Sequence, residues 1–154
     1  MPCPVPPTSF YFSVRFLGVG TENDQCFQEV SGLKVELEVE EVKEGGENRF
    51  THKLPKRTKY PNLVLKRGML LDTALVKWME ESFNSYFWAV GNYSLNSTVD
   101  IVISLLNDAG TPIATWNVMG AIPVKWEYSG FKGQQNEMVY DNIELAYRLF
   151  NRIL

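Results

Sequence analysis

Histidine and cysteine are nearly absent from this 154-residue chain: His52 stands alone, and the cysteines are Cys3 and Cys26. That scarcity excludes most metal and nucleophile chemistry. A zinc site needs His and Cys at ligand spacing, and a Ser–His or Cys–His pair needs a histidine free to sit beside its nucleophile. His52 lies between Thr51 and Lys53 in a basic stretch, where an ordinary exposed or hydrogen-bonded imidazole is expected rather than a catalytic one. Two cysteines make no disulfide framework. One sits among prolines and the other beside Phe27, and both are expected as free thiols of a protein made in the cytoplasm. The phosphate-loop pattern is missing, and Gly18-Val19-Gly20 lacks the further glycine and helix of a dinucleotide loop. No apolar run approaches the ~20 residues that cross a bilayer. The opening Met-Pro-Cys-Pro-Val-Pro-Pro has neither the charged nor the apolar region of a signal peptide. A net charge of −3 and a pI near 5.2 argue against a general nucleic-acid binder. No enzyme constellation, cofactor site or metal site emerges.

What is present describes a β protein. Hydrophobic residues make up 45% and charged residues 21%, ordinary proportions for one globular domain long enough to bury a core. Residues 1–8 hold four prolines and are expected as an extended N-terminal arm. Phe10, Phe12, Val14 and Phe16 alternate with Tyr11, Ser13 and Arg15, the period of a half-buried strand. Leu33, Val35, Leu37 and Val39 alternate in the same way with Lys34, Glu36, Glu38 and Glu40. That pattern breaks at Glu41-Val42, where a bulge or strand end is expected. Arg49 to Leu54 predicts a strand that Pro55 interrupts, and Leu63 and Leu65 mark another. Asp72 fits the N-cap of one helix over roughly Thr73 to Tyr86, with Leu75, Met79 and Phe83 in one stripe and Val76 beside it.

Further strands carry Val99, Ile101, Ile103 and Leu105, then, after a turn at Asn107-Asp-Ala-Gly110, Ala114, Trp116 and Val118. Ile122, Val124, Trp126 and Tyr128 make another, and Val139, Ile143, Leu145, Tyr147 and Leu149 the last. The sequons at Asn92 and Asn96 read as chance matches without a secretory signal. The expected fold class is mainly β, a barrel or sandwich of about seven or eight strands with one flanking α-helix, as a single domain over residues 1–154.

Charge is patterned most strongly between Glu36 and Gly68. Glu36, Glu38 and Glu40 share one face of their strand. Carboxylates in register repel one another, so that face is expected in water, outside or along a wide wet channel. Glutamates two apart on an open strand also lack the pocket that paired catalytic acids need. An acidic, glycine-centred turn (Glu44, Gly45, Gly46, Glu47) then runs into Arg49, Lys53, Lys56, Arg57 and Lys59. Neighbouring segments of opposite sign suit a self-complementary contact between copies of one protein. Charge alone also fits a plainer reading, a solvated hairpin of mixed sign, since charge runs usually face water.

Six motifs stand in order: Glu29-Val-Ser-Gly-Leu33, Glu44-Gly-Gly46, Lys53-Leu-Pro-Lys-Arg-Thr-Lys-Tyr60, Leu63-Val-Leu-Lys-Arg-Gly68, Pro123-Val-Lys-Trp126 and Ile143-Glu-Leu-Ala-Tyr147. Together, over about residues 9 to 150, they closely resemble the tail tube proteins of contractile phages and of phage-tail-like contractile injection systems of bacteria. The resemblance implies a structural subunit rather than an enzyme, a tail-tube domain without cofactor. Its copies form hexameric rings whose inner sheets join into one barrel. The rings stack into a tube that is driven through a target membrane when the surrounding sheath contracts.

Implied partners are further copies of itself, a sheath protein, baseplate and tube-initiator or tube-terminator proteins, and cargo passing through the lumen. Neither stable nucleic-acid binding nor a membrane-spanning segment is implied. Such a protein is made in the bacterial cytoplasm and becomes part of an extracellular or virion/injection particle. The family's long loop corresponds to residues 42–60, which makes Glu44, Gly45, Gly46, Glu47, Arg49, Lys53, Lys56, Arg57 and Lys59 the expected inter-subunit or inter-ring contacts. Glu36, Glu38 and Glu40 are expected to face the lumen, where an acidic wall stays wet and repels nucleic acid and acidic proteins. Pro2 to Pro7 and Tyr86 to Ser97 look like additions to the simplest tube pattern, which keeps open a tube-initiator ring at the baseplate. From another class, a small-ligand-binding β-barrel needs an apolar cavity; the acidic strand face and charged loop speak against it.

Overall fold

The structure is a computed structural model of the chain, and it describes residues 11–19, 27–43, 45–46, 51–68, 74–88, 98–131, 133 and 139–154. Among the described residues, nine strands and one helix follow in order: β1 (Tyr11–Phe16), β2 (Glu29–Ser31), β3 (Glu36–Val42), β4 (His52–Lys59), β5 (Leu63–Gly68), α1 (Ala74–Trp88), β6 (Val99–Leu106), β7 (Pro112–Tyr128), β8 (Tyr140–Ala146) and β9 (Leu149–Arg152). The mainly β class with one helix is as expected. Cys3, Cys26, the proline-rich residues 1–8, Asp72 and the sequon asparagines Asn92 and Asn96 lie outside the described residues.

The 17-residue strand β7 organises the barrel. Its first part pairs with β6 on one side and β9 on the other, and its second part pairs with β8. The order β1-β6-β7-β8-β5-β2, with β9 also on β7, therefore passes through a single strand shared by two sheets. Two strands were expected in place of β7. They are one because Gly120 takes a φ of +67°, where side chains are disfavoured, and its amide donates to Asp100 Oδ1 at 3.1 Å. Pairing shifts register between Val99 and Ile101 and again between Pro123 and Lys125. After these shifts Ala121 and Pro123 are the buried residues, whereas Val124 and Tyr128, expected inward, are each 42% exposed.

The last expected strand is also two. β8 ends at Ala146, the Arg148 amide donates to the Met119 carbonyl at 2.9 Å, and β9 moves across to β7. Ile143, Leu145 and Tyr147 are buried as the alternation required, but Leu149, beyond the corner, is exposed.

The core lies between the two sheets and under the helix. Val14, Ile101, Ile103 and Val118 meet Leu63, Leu65, Ile143 and Leu145, with Leu75 and Met79 from α1. Each such side chain withdrawn from water contributes roughly 1.5–3 kcal/mol. The expected helical stripe is present, with Leu75 and Met79 buried, Phe83 packed on the core and Glu80 and Glu81 outside. Trp78 joins it against Phe16, ring centroids 6.0 Å apart.

Candidate assembly surface

The charged stretch forms an arm. β2 pairs with β5 inside the barrel sheet, and β3 pairs with β4 in a two-stranded sheet of its own. Since β2 leads to β3 and β4 leads to β5, these four strands make one long hairpin whose outer half leaves the barrel. Much of the expected loop at 42–60 is strand β4. Pro55 does not interrupt it but lies within it, opposite Val39. A two-stranded sheet leaves one side of each strand unpaired, and proline's missing N–H is tolerated there. The expected strand end after Glu41-Val42 is present, while the irregularity in pairing falls between Leu37 and Val39, where Lys56 and Arg57 together oppose Glu38.

The root of the arm is tightly tied to the barrel. Gly32 has a φ of +95°, and a Cβ there would overlap the Asn62 carbonyl oxygen. The Tyr147 hydroxyl donates to the Gly32 carbonyl at 2.9 Å, and Asn62 Nδ2 donates to Glu144 Oε1 at 2.8 Å. Tyr60, Tyr147 and Phe150 pack ring on ring, with centroids 5.7–6.1 Å apart. Burial, with a smaller contribution from Tyr60, pushes the Tyr147 phenol above its ordinary pKa. Sequence reasoning missed this root; its visible signal was a glycine between two strand patterns.

Register divides the outer arm into two faces. One carries Glu36, Glu38 and Glu40, as the alternation required, with Lys59 directly opposite Glu36, Lys56 and Arg57 across from Glu38, and Leu54 directly opposite Glu40. Lys34 bonds Glu36 at 2.8 Å, Lys59 pairs with Glu38, Arg57 approaches Glu38 at 3.9 Å, and Lys56 reaches Glu40 at 3.6 Å. Hydrogen bonds from Lys34 and Lys59 hold the Glu36 and Glu38 carboxyls below the ordinary carboxylate range. The acid–base complementarity seen in the sequence is thus satisfied within one chain, as in the plainer hairpin reading. The signal for this was available, since an acidic strand and a basic strand joined through a Gly-Gly turn form opposite-charge cross-strand pairs.

The other face carries Val35, Leu37 and Val39, which are 52%, 53% and 49% exposed, with Thr58 and Pro55 across from Leu37 and Val39. Toward the tip, Lys53 lies opposite Glu41, and Gly45 and Gly46 form the turn, Gly46 with a φ of +97°. Glu44, Glu47 and Arg49 lie outside the described residues. His52 is exposed, opposite Val42.

Where β5 meets β8, Arg67 and Asp141 are directly opposite and both 0% exposed, with Nε 3.7 Å from Oδ2. Burial raises the Asp141 carboxyl above its ordinary pKa, with Arg67 pulling the other way. The guanidinium also lies 5.7 Å from the centre of the Phe27 ring. Among the described residues, no group of three His, Cys, Asp or Glu side chains is placed to hold a metal, and no helix is long and apolar enough to cross a membrane.

A two-sheet barrel flanked by one helix and extended by a long charged hairpin is the fold of tube-forming phage-tail proteins. Residues 8–151 match the family model described as T4-like virus tail tube protein gp19, and the chain belongs to that family.

Solved structures agree. A chain of the PVC sheath/tube terminator of an extracellular contractile injection system in the extended state is 28% identical, with a TM-score of 0.74, covering 98% of this chain and 97% of that one. A chain of the PVC sheath–tube complex is 29% identical, with a TM-score of 0.72, covering 97% and 90%. A chain of the anti-feeding prophage baseplate is 26% identical, with a TM-score of 0.73, covering 99% and 97%. No curated protein matches in sequence.

Proposed function

We propose that this protein is the inner-tube subunit of a contractile injection system or phage tail, without catalytic activity. Copies close into hexameric rings, and the rings stack into a conduit for cargo. The observation that carries this reading is the long hairpin, together with near-complete coverage of chains from tube-containing particles. An arm half outside its own barrel, with an apolar face in water, is incomplete as a monomer surface.

In this reading residues 42–60, with Glu44, Gly45, Gly46, Glu47, Arg49, Lys53, Lys56, Arg57 and Lys59, lie at contacts between subunits or rings. Glu36, Glu38 and Glu40 line the lumen. Because Lys34, Lys56, Arg57 and Lys59 share that face, the wall they form is charge-balanced and well hydrated. It neither binds acidic cargo strongly nor repels it strongly. Further partners are a sheath protein outside and baseplate and tube-terminator proteins at the ends. The particle works outside the cell that makes it. The match to a baseplate chain also supports the second reading, a tube-initiator ring.

Light scattering of the purified protein, paired with negative-stain images, tests the assembly. Hexamer-sized rings or stacked tubes support the tube subunit, and rings that never stack support the initiator. A protein that stays monomeric even with its baseplate partners present would overturn both.

A further inference from the structure

We infer that the buried pair Arg67 and Asp141 is a register key: it fixes how far the long hairpin is drawn along β8, and so where the outer arm stands. On the core side of the β5–β8 seam, Leu63, Leu65 and Arg67 lie directly opposite Leu145, Ile143 and Asp141. All six are 0% exposed. The apolar members do not define this pairing. A strand shifted by two residues keeps every side chain on its own face, and leucine packs against isoleucine much as it packs against leucine. The charges do define it. A shift one way sets Arg67 against Ile143, and a shift the other way sets Asp141 against Leu65. Either shift separates the guanidinium from the carboxylate that now lies 3.7 Å away, and a buried charge parted from its counter-charge is strongly disfavoured.

The inner half of the hairpin shifts as one body. β2 pairs with β5, the Gln28 amide donates to the Lys66 carbonyl at 2.7 Å, and Phe27 keeps its ring beside the Arg67 guanidinium. Those contacts travel with β5, whereas Arg67 with Asp141 joins the hairpin to β8. The Tyr147–Gly32 and Asn62–Glu144 bonds also mark the native position, but losing a hydrogen bond of this kind costs less than parting two buried charges. Two residues of slip carry the arm about 7 Å along β8. Under the assembly reading above, such a slip displaces residues 42–60 from their contacts, so the pair couples correct folding to assembly. The register itself does not rest on that reading.

Cysteine pairs read the register, in a chain whose Cys3 and Cys26 are replaced by serine. Lys66 is directly opposite Asn142, so Lys66→Cys/Asn142→Cys is placed to bridge on mild oxidation. Lys66→Cys/Tyr140→Cys and Lys66→Cys/Glu144→Cys are diagonal, about 7–8 Å apart and beyond disulfide reach unless the strand slips. Each pair is introduced into the otherwise native chain, into Arg67→Met/Asp141→Leu and into Arg67→Lys, with circular dichroism melts and light scattering on the same samples. With the charges kept, in the native and Arg67→Lys chains, the opposite pair is expected to bridge at least about tenfold more than either diagonal pair. In the neutral variant, expected to melt as a folded protein, that preference falls to about threefold or less, and assembly falls with it. A neutral variant with the native preference would overturn this inference. So would one that fails to fold, because the pair would then hold the barrel together rather than choose its register. A slipped variant that assembles like wild type would remove the coupling to assembly. A wild type that never assembles would overturn the tube reading and leave the register to be decided by the cysteine pairs.

Discussion

The hydroxyl of Tyr147 donates to the carbonyl of Gly32 at 2.9 Å, across 115 residues of chain. This bond joins the corner between β8 and β9 to the point where the hairpin leaves the barrel. Gly32 is there because its φ of +95° and its contact with Asn62 leave no room for a Cβ. The arm therefore leaves at an angle set by the barrel.

Gly32→Ala is expected to destabilise the protein by at least about 2 kcal/mol, from left-handed backbone strain together with a backbone overlap. For a domain of this size the thermal midpoint falls by roughly 4–8 °C. Tyr147→Phe keeps the ring packing and removes one hydrogen bond, so it should cost about 1 kcal/mol. Thermal melts of both variants check the order. A Gly32→Ala protein as stable as wild type would contradict the root described here.

The buried pair makes an asymmetric prediction. Asp141→Asn removes the carboxylate charge that faces the buried Arg67 guanidinium and is expected to cost about 3–5 kcal/mol. The double change Arg67→Met/Asp141→Leu removes both charges and should recover most of that loss. Urea melts of Arg67→Met, Asp141→Leu and the double variant measure the coupling directly. Additive losses would show that the charges do not act as a pair.

The hairpin should loosen in acid. Glu36 and Glu38 have folded pKa values below their unfolded ones, because Lys34 and Lys59 hydrogen-bond the charged forms. Their contribution is therefore present above the unfolded carboxylate range and is lost as pH falls through the lowered values. Amide exchange at Leu37 and Val39 should accelerate on acidification below about pH 4, relative to the intrinsic exchange rate, before the barrel core exchanges. Lys59→Met should return the Glu38 titration toward the ordinary carboxylate range, read by carboxyl NMR shifts. Unchanged Glu38 titration in that variant would contradict the pairing.

Much of this was legible in the sequence where periodicity met burial on both sides. Val14, Ile101, Ile103, Leu63 and Leu65 sit where alternation put them, and the Leu75–Met79 stripe faces the core. Legibility failed at corners. The sequence pattern broke around Gly120, but whether that break ends a strand or bends one depends on Asp100, twenty residues away, accepting its amide. Leu149 continued the β8 alternation in sequence, yet the chain had already crossed to β7. The arm shows the same limit. Alternation found both faces of β3, but in sequence its half-exposed apolar face looks like an ordinary core face. The acidic row and Lys34 beside it were visible, whereas Lys56, Arg57 and Lys59, which balance Glu38 and Glu40, belong to another strand, and pairing them needed the register.

The most direct measurement is an image reconstruction of the assembled wild-type protein, resolved well enough to trace the arm. The account predicts rings of six subunits, with the β3–β4 arm in contact with another copy and Glu36, Glu38 and Glu40 beside Lys56 and Lys59 on the wall of a central channel. Arms pointing freely into solvent, or these glutamates on the outer surface of the tube, would contradict it.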